Sequence, residues 1–281
     1  MKRLLHARAG LVLVGALALG ILLALSCGRH ATSWLAGAGR AKGTSKAGPD
    51  GSASAAADPK HRGIWISRDE VRRLPTSGPA WERLLDQAHS PAGTPDLSDQ
   101  DQMNNVYVLA KALVYVRTGQ ARYRDEVVQN CMAAIDTELG GRTLALGREL
   151  AAYVIAADLV GLDADDDAVF RAWLRRTLTE TLEGRTLQST HEDRPNNWGT
   201  MAGASRAAVA VYLGDAAELA RTAQVFRGYL GDRSAYAGFE YGNRSWQADP
   251  NLPIGINPRG ARREGESIDG VLPDDMRRGC G

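Results

Sequence analysis

The side chains with the most chemistry lie just before an alanine-rich helical segment. One His, one Arg, two Asn and one Trp fall within eight residues, at His191, Arg194, Asn196, Asn197 and Trp198. Amides can hold a carboxylate in its enolate-like form, and an imidazole can take up a proton near neutral pH. These residue types therefore have the parts needed to remove a proton from the carbon beside a carboxylate, as in β-elimination from a uronic-acid sugar.

A helix boundary is predicted within this cluster. Pro195 biases Arg194 towards extended backbone, which ends the preceding helix. The Asn pair then falls at the start of the next helix, where Asn196 or Asn197 caps the chain and unpaired backbone N–H groups favour an anion. A purely structural interpretation stays open beside this one, because Asn is also a common helix cap.

Three helical pairs are predicted to position the cluster. The first pair has Ser98 as its cap, turns at Gly119 and ends before Gly140. The other helices are predicted at 146–160, 165–182, 199–213 and 216–230. Short Gly-containing joints make paired helices antiparallel neighbours, and repeated pairs stack into a curved array. We therefore predict an all-α fold, an incomplete (α/α) toroid of antiparallel helical hairpins.

The chain begins with features of an exported protein. Residues 1–27 combine a basic start with an apolar run shorter than a membrane span, which predicts an export signal. Cys27 follows a small-residue context similar to a lipoprotein cleavage box, so lipidation there is expected, with an ordinary signal peptide or an uncleaved anchor as alternatives. The composition of residues 28–60 predicts a flexible Ala/Gly/Ser linker. Residues 61–281 are predicted to form the functional domain. The expected location is the cell envelope, periplasmic or extracellular, with membrane contact only through the lipid.

Charge and cysteine content exclude several partners. The net charge is +1 over 281 residues, which argues against nucleic acid. We predict a buried thiol at Cys131, from its helical apolar neighbours, and no bridge to Cys280. No metal cluster is visible. We further predict a charge pair between Arg148 and Asp158, and a solvated Asp274-Asp275 pair.

The segment after residue 231 is irregular and rich in aromatic residues. Tyr236, Tyr241, Arg244 and Trp246 lie among many Gly and Pro. A long segment without regular structure is usually a functional loop or a disordered one. Aromatic faces and guanidinium groups are typical of carbohydrate binding.

Two stretches resemble a known family. R-P-N-N-W-G at 194–199 and L-G-R-E-L-A-A-Y-V-I-A-A-D-L-V at 146–160 are similar to the alginate lyase family of polysaccharide lyases, whose fold is an incomplete α-helical toroid. In that family an Asn-Asn-His run carries the carboxylate-neutralising Asn and the His, with Arg and Tyr further on. Trp198 stands in the place of that His here. The resemblance also implies further helices beyond Gly281, so the chain is expected to be C-terminally incomplete.

The resemblance implies a lyase that cleaves a uronate-containing, alginate-like polymer by β-elimination without a cofactor. Asn196 and Asn197 would neutralise the carboxylate, His191 or a Tyr would remove the C5 proton, and Tyr241 would protonate the leaving group. The expected sugar-binding residues are Arg194, Trp198, Arg244 and Trp246. The alternative is a non-catalytic, surface-tethered protein that binds a glycan or another protein. A hydrolase would need two carboxylates facing the cleft.

Overall fold

The computed structural model describes residues 63–276, which are mostly helical. The helices are α1 (Arg68–Arg73), α2 (Pro79–His89), α3 (Asn104–Thr118), α4 (Ala121–Ala133), α5 (Thr143–Val160), α6 (Ala164–Thr177), α7 (Leu187–Asp193), α8 (Asn197–Leu213), α9 (Ala216–Tyr229) and α10 (Pro273–Met276). The sheet within these residues is one antiparallel pair, β1 (Arg262–Arg263) and β2 (Glu266–Ser267). The all-α prediction is confirmed, while the curvature of a toroid stays a prediction.

The helices form an inner and an outer layer. In the inner layer, α5 packs against α3 on one side and α8 on the other. In the outer layer, α4 contacts α3 and α5, α6 contacts α4 and α8, and α9 contacts α8. Helices α5 and α8 approach closely, because a Cβ on Gly147 would lie 2.9 Å from the backbone nitrogen of Ala202. The Ser205 hydroxyl donates to the Gly147 carbonyl at 2.8 Å and accepts from the Ala151 N–H at 3.0 Å.

Short sequence signals mark many of the helix ends. Ser67 and Glu70 form a capping box at the start of α1, and Pro79 is the first residue of α2. Gly119 and Gly214 end α3 and α8 in the left-handed region, with φ of 72° and 70°. Glycine adopts this conformation without a Cβ penalty, so both hairpins turn where the sequence indicates.

Two predicted boundaries are wrong. Ser98 does not cap α3, because its hydroxyl donates to Asp96 at 2.6 Å and the helix begins only at Asn104. The helix predicted at 165–182 ends at Thr177. Beyond it the chain turns back at Gly184, where φ is 80°, and Leu182 and Arg185 exchange backbone hydrogen bonds.

The core confirms the predicted buried thiol. Cys131 is a free, fully buried cysteine on α4 whose sulfur approaches the Tyr153 carbonyl at 3.7 Å. Burial raises its pKa well above the usual thiol value, so the thiolate is disfavoured. The thiol is therefore a packing group.

The irregular segment after α9 is anchored by aromatic rings. Phe239 makes edge contacts with Tyr229, Tyr236 and Tyr241, at centroid distances of 4.5, 4.9 and 6.1 Å. The Glu240 N–H donates to the Asp193 carbonyl at 2.9 Å. This part of the chain is thereby held against the end of α7.

Several predictions fall outside the described residues. The export signal, lipidation at Cys27 and the 28–60 linker belong to residues 1–62, and Cys280 follows residue 276. Within residues 63–276, no helix combines the length and apolar character that crossing a membrane requires.

Candidate active site

The start of α8 is organised by the two asparagines. Asn196 is the N-cap, and its side-chain oxygen accepts from the Trp198 N–H at 3.0 Å. The Asn197 side-chain oxygen accepts from the same N–H at 3.0 Å. Arg194 has the extended backbone expected before proline, with φ of −105° and ψ of 108°. The structure thus places both amides at the predicted helix start, and Asn196 is 8% exposed.

The three inner helices begin at the same end of the molecule. Arg142, the residue before α5, donates to the side chain of Gln100 at 3.1 Å in the loop leading to α3. Its guanidinium also lies over the Trp198 ring, 5.8 Å from the centroid, at the start of α8. Backbone N–H groups at helix starts carry partial positive charge. The loops and helix starts around Arg142 therefore meet at one end of the molecule, where the carboxylates of Asp274 and Asp275 also lie.

Trp198 lies beside two guanidinium groups at this end. The Arg194 guanidinium is 4.5 Å from the ring centroid, in addition to the contact from Arg142. Burial lowers the pKa of Arg194, neighbouring Arg185 lowers it further, and the carboxylate of Asp274 opposes both. The Arg194 Nε atom is buried without a hydrogen-bond partner. We call Arg142, Arg194 and Trp198 the arginine–tryptophan surface.

The acidic pair of α10 contacts the start of α8. An Asp274 oxygen accepts from the Asn196 side-chain amide at 2.8 Å, and an Asp275 oxygen accepts from the Asn197 backbone N–H at 2.9 Å. The prediction that this pair is solvated is therefore wrong. Contacts over 78 residues of sequence depend on how the tail folds back, which no local pattern shows.

The His191 side chain is enclosed by other side chains and is not open to a ligand. The imidazole is 2% exposed and stacks on the Tyr229 ring with centroids 5.9 Å apart. Its Nε2 atom would lie 2.6 Å from a Cβ on Gly203, two turns into α8. The ring is enclosed because the last turn of α7 presents it to the flank of α8. Its catalytic role stays a prediction.

A buried ion network surrounds this imidazole. Arg206, 1% exposed, donates to Glu192 at 2.9 Å, contacts Glu218, and lies 3.4 Å from His191 Nδ1. Burial lowers the pKa of His191 to about 3, and Arg206 contributes further. The imidazole is therefore neutral at physiological pH, inside a closed polar cluster.

The predicted tail residues divide into two groups. The backbone next to Tyr241 approaches Asp274, because a Cβ on Gly242 would lie 3.9 Å from Asp274 Oδ1, and Asp274 bonds Asn196. The ring of Tyr241 itself contacts Phe239. Burial raises the pKa of Tyr241, whereas Arg233, 5.9 Å from its ring centroid, opposes the rise.

The second group has its described contacts within the tail. Arg244 donates to the Pro250 carbonyl at 3.3 Å, and the Trp246 ring lies under Arg263 at 5.4 Å. The structure shows no contact of either side chain with the start of α8 within the described residues. Tyr236, by contrast, contacts α7: its hydroxyl donates to the Glu192 carbonyl at 2.6 Å, and burial raises its pKa to about 12.

A buried carboxyl group on α5 replaces the predicted charge pair. Arg148 approaches Glu149 at 3.9 Å, whereas Asp158 accepts from the Ile64 N–H at 3.3 Å, so the predicted pair of Arg148 with Asp158 is wrong. Both Glu149 oxygens are buried without a hydrogen-bond partner. Burial raises the pKa of Glu149 to about 8.

Sequence reasoning missed Arg142 and the acidic pair as parts of the site. Arg142 follows the Gly140-Gly141 break and precedes an apolar helix, which is a weak signal for a residue near a helix start. The assembled groups suit an acidic, ring-shaped ligand: amides and guanidiniums for carboxylates, and an indole face for a sugar. Residues 63–276 contain no group of three or more His, Cys, Asp or Glu able to hold a metal ion.

Comparison with known proteins gives one match. Residues 80–235 match the family model described as alginate lyase. This segment runs from α2 to just beyond α9 and includes His191, the Asn pair and the arginine–tryptophan surface, while Tyr241 and Asp274 follow it. No curated protein and no solved structure matches the chain.

Proposed function

Because the matched segment covers more than half of the sequence, this chain belongs to the alginate lyase family, and we propose that it cleaves a uronate-containing polysaccharide by β-elimination. The family supports polysaccharide lyase activity in general. The uronate substrate and the residue roles given below are the finer parts of the proposal.

The observation that carries the proposal is the arginine–tryptophan surface beside the two amides. An indole face stacks on the apolar side of a sugar ring, and guanidinium groups bind carboxylates. Arg142 and Arg194 both lie within 6 Å of the Trp198 centroid. Neighbouring sugars of a polyuronate carry one carboxylate each, so two cations beside one aromatic ring match that pattern.

The proposed reaction starts at the amides. Asn196 and Asn197 stabilise the negative charge that develops on the uronate carboxyl group when the C5 proton leaves. The electrons of the C5–H bond form the C4–C5 double bond, and the bond from C4 to the bridging oxygen breaks. Tyr241 then gives its proton to that oxygen. The phenol is protonated at neutral pH, and burial raises its pKa further above the ordinary value.

The base that takes the C5 proton is His191 or a tyrosine, as the sequence leaves open, and it is a different group from Tyr241, whose phenol is protonated. A base must come within hydrogen-bond reach of the proton that it removes. The imidazole is enclosed by Gly203, Tyr229 and Arg206, which argues against His191 as the base in this arrangement. Arg244 and Trp246 are proposed to contact sugars further along the polymer.

The test is the ultraviolet absorbance of the unsaturated product when the full chain is incubated with polymannuronate, polyguluronate and polygalacturonate. We expect a signal on at least one polymer, and its absence on all three contradicts the proposal. Tyr241→Phe should lower kcat by roughly 100-fold or more. Tyr115→Phe, half-buried in the second half of α3, is the matched control and should retain the activity.

A substitution of Arg142 tests the arginine–tryptophan surface. Arg142→Ala should raise KM several-fold, because it removes one cation from the arginine–tryptophan surface. Arg175→Ala, exposed on the outer helix α6, also removes one positive charge and should leave KM unchanged. Equal effects of the two variants would mean that only the overall charge matters.

A second candidate function is glycan binding without turnover. The enclosure of His191 favours it, because the imidazole cannot reach a sugar from that position. Binding of an oligouronate that quenches Trp198 fluorescence, without product absorbance, selects this function. We also propose export to the cell envelope, which the pattern of residues 1–27 supports.

A further inference from the structure

The acidic pair of α10 is tied to the groups proposed to hold the substrate carboxylate. Asp274 accepts from the Asn196 amide at 2.8 Å, and Asp275 accepts from the Asn197 backbone N–H at 2.9 Å. Both contacts bring a distant segment to the first residues of α8. A carboxylate at this place has one of two roles. It competes with a substrate carboxylate for the site, or it orients the Asn196 amide that binds the substrate carboxylate.

The hydrogen bonds of Asn196 decide between these roles. Its oxygen is used by the Trp198 N–H at 3.0 Å, and its nitrogen donates to Asp274. An ionised carboxylate only accepts hydrogen bonds, so the amide nitrogen has to face Asp274. Both ends of the amide are thereby fixed. The amide nitrogen carries two N–H groups, so a second donor remains for a ligand.

The charge around Asp274 is balanced by a neighbouring cation. The Asp274 carboxylate interacts favourably with Arg194, which lies on Trp198 at 4.5 Å. Arg194 therefore offsets part of the negative charge, and with it part of the repulsion of a substrate carboxylate.

We propose that Asp274 is a positioning residue that fixes the Asn196 amide with its N–H donor available to the uronate carboxylate. The inference rests on the proposed function and deepens it, because it makes the α10 segment part of the substrate site. Asp275 supports the same arrangement by holding the backbone of Asn197.

The experiment compares Asp274→Ala and Asp274→Asn in the full chain, with Asp125→Ala, exposed on α4, as the control. The alanine removes the acceptor, and misplacing a reacting group can cost on the order of 100-fold. We expect kcat/KM on the cleaved polyuronate to fall by roughly 10- to 100-fold. The asparagine keeps an acceptor oxygen, so it should restore most of the activity. The control should match the unsubstituted protein.

Two kinetic outcomes overturn the inference. Activity of Asp274→Ala equal to that of the unsubstituted protein means that the carboxylate positions nothing, and higher activity means that it blocks the site. Equal losses in the alanine and asparagine variants mean that the charge acts, and not the acceptor.

If the unsubstituted protein cleaves no polymer, the proposed function fails, and a second measurement still tests the positioning role of Asp274. The Asn196 side-chain amide resonance in a nitrogen-15 spectrum should move in Asp274→Ala and much less in Asp274→Asn. An unchanged resonance in both variants overturns the positioning role, whatever the activity.

Discussion

Gly203→Ala tests directly whether His191 is enclosed. A Cβ at this position would lie 2.6 Å from the imidazole Nε2 atom and 2.7 Å from its Cδ2 atom. Real Cβ contacts are longer, so the ring or the helix would have to move. The ring has little room, because it stacks on Tyr229 and approaches Arg206.

Two opposing effects set the size of the change. Alanine stabilises a helix interior by about 1 kcal/mol relative to glycine, whereas overpacking a filled core costs about 1–3 kcal/mol. Because the ring is confined, we expect overpacking to exceed the helix preference. The free energy of unfolding should fall by about 1–2 kcal/mol, which lowers Tm by about 2–8 °C.

The assay is urea unfolding of Gly203→Ala, His191→Ala and the double variant. The His191→Ala change removes the ring atoms that the new methyl group meets, so the double variant should be more stable than the sum of the two losses by about 1–2 kcal/mol. Gly242→Ala is the control, because its nearest contact would be 3.9 Å away. Additivity within about 0.5 kcal/mol, or a stabilised Gly203→Ala, would refute the enclosed imidazole.

Two further predictions concern buried charges. Burial raises the pKa of Glu149 from 4.5 to about 8. The contribution of this carboxyl group to stability is therefore complete below pH 4.5 and is lost as the pH rises through about 8. Glu149→Gln should flatten this part of a Tm-against-pH curve, and parallel curves for the two proteins would contradict the raised pKa. Arg206→Ala leaves Glu192 and Glu218 without their buried partner and should cost about 3–5 kcal/mol in urea unfolding. Arg171→Ala, which breaks a pair that is one-third exposed, should cost about 0.2–1 kcal/mol, and equal losses would rule out a special role for the buried network.

The helical architecture was predictable because its signals are local. The capping box of Ser67 and Glu70 and the left-handed Gly119 and Gly214 each act within a few residues. Ser98 misled the prediction because its hydroxyl has a nearer partner in Asp96. A capping residue type therefore predicts a helix start only where no adjacent acceptor competes for its side chain.

The candidate site was predictable only where its residues are close in sequence. Arg194, Asn196 and Trp198 lie within five residues, and the structure keeps them together. Arg142 and Asp274 join them through packing between distant segments, which periodicity does not describe. His191 was misplaced because its direction depends on how α7 meets α8.

The common starting end of α3, α5 and α8 has a consequence for how fast a polymer is captured. Helix starts that lie side by side carry partial positive charge, and with Arg142 and Arg194 they give the arginine–tryptophan surface a local positive field beside the carboxylates of Asp274 and Asp275. Such a field steers a polyanion during diffusion and is screened beyond about 8 Å at physiological ionic strength. The association rate should therefore fall steeply with added salt, while dissociation from the bound state changes far less.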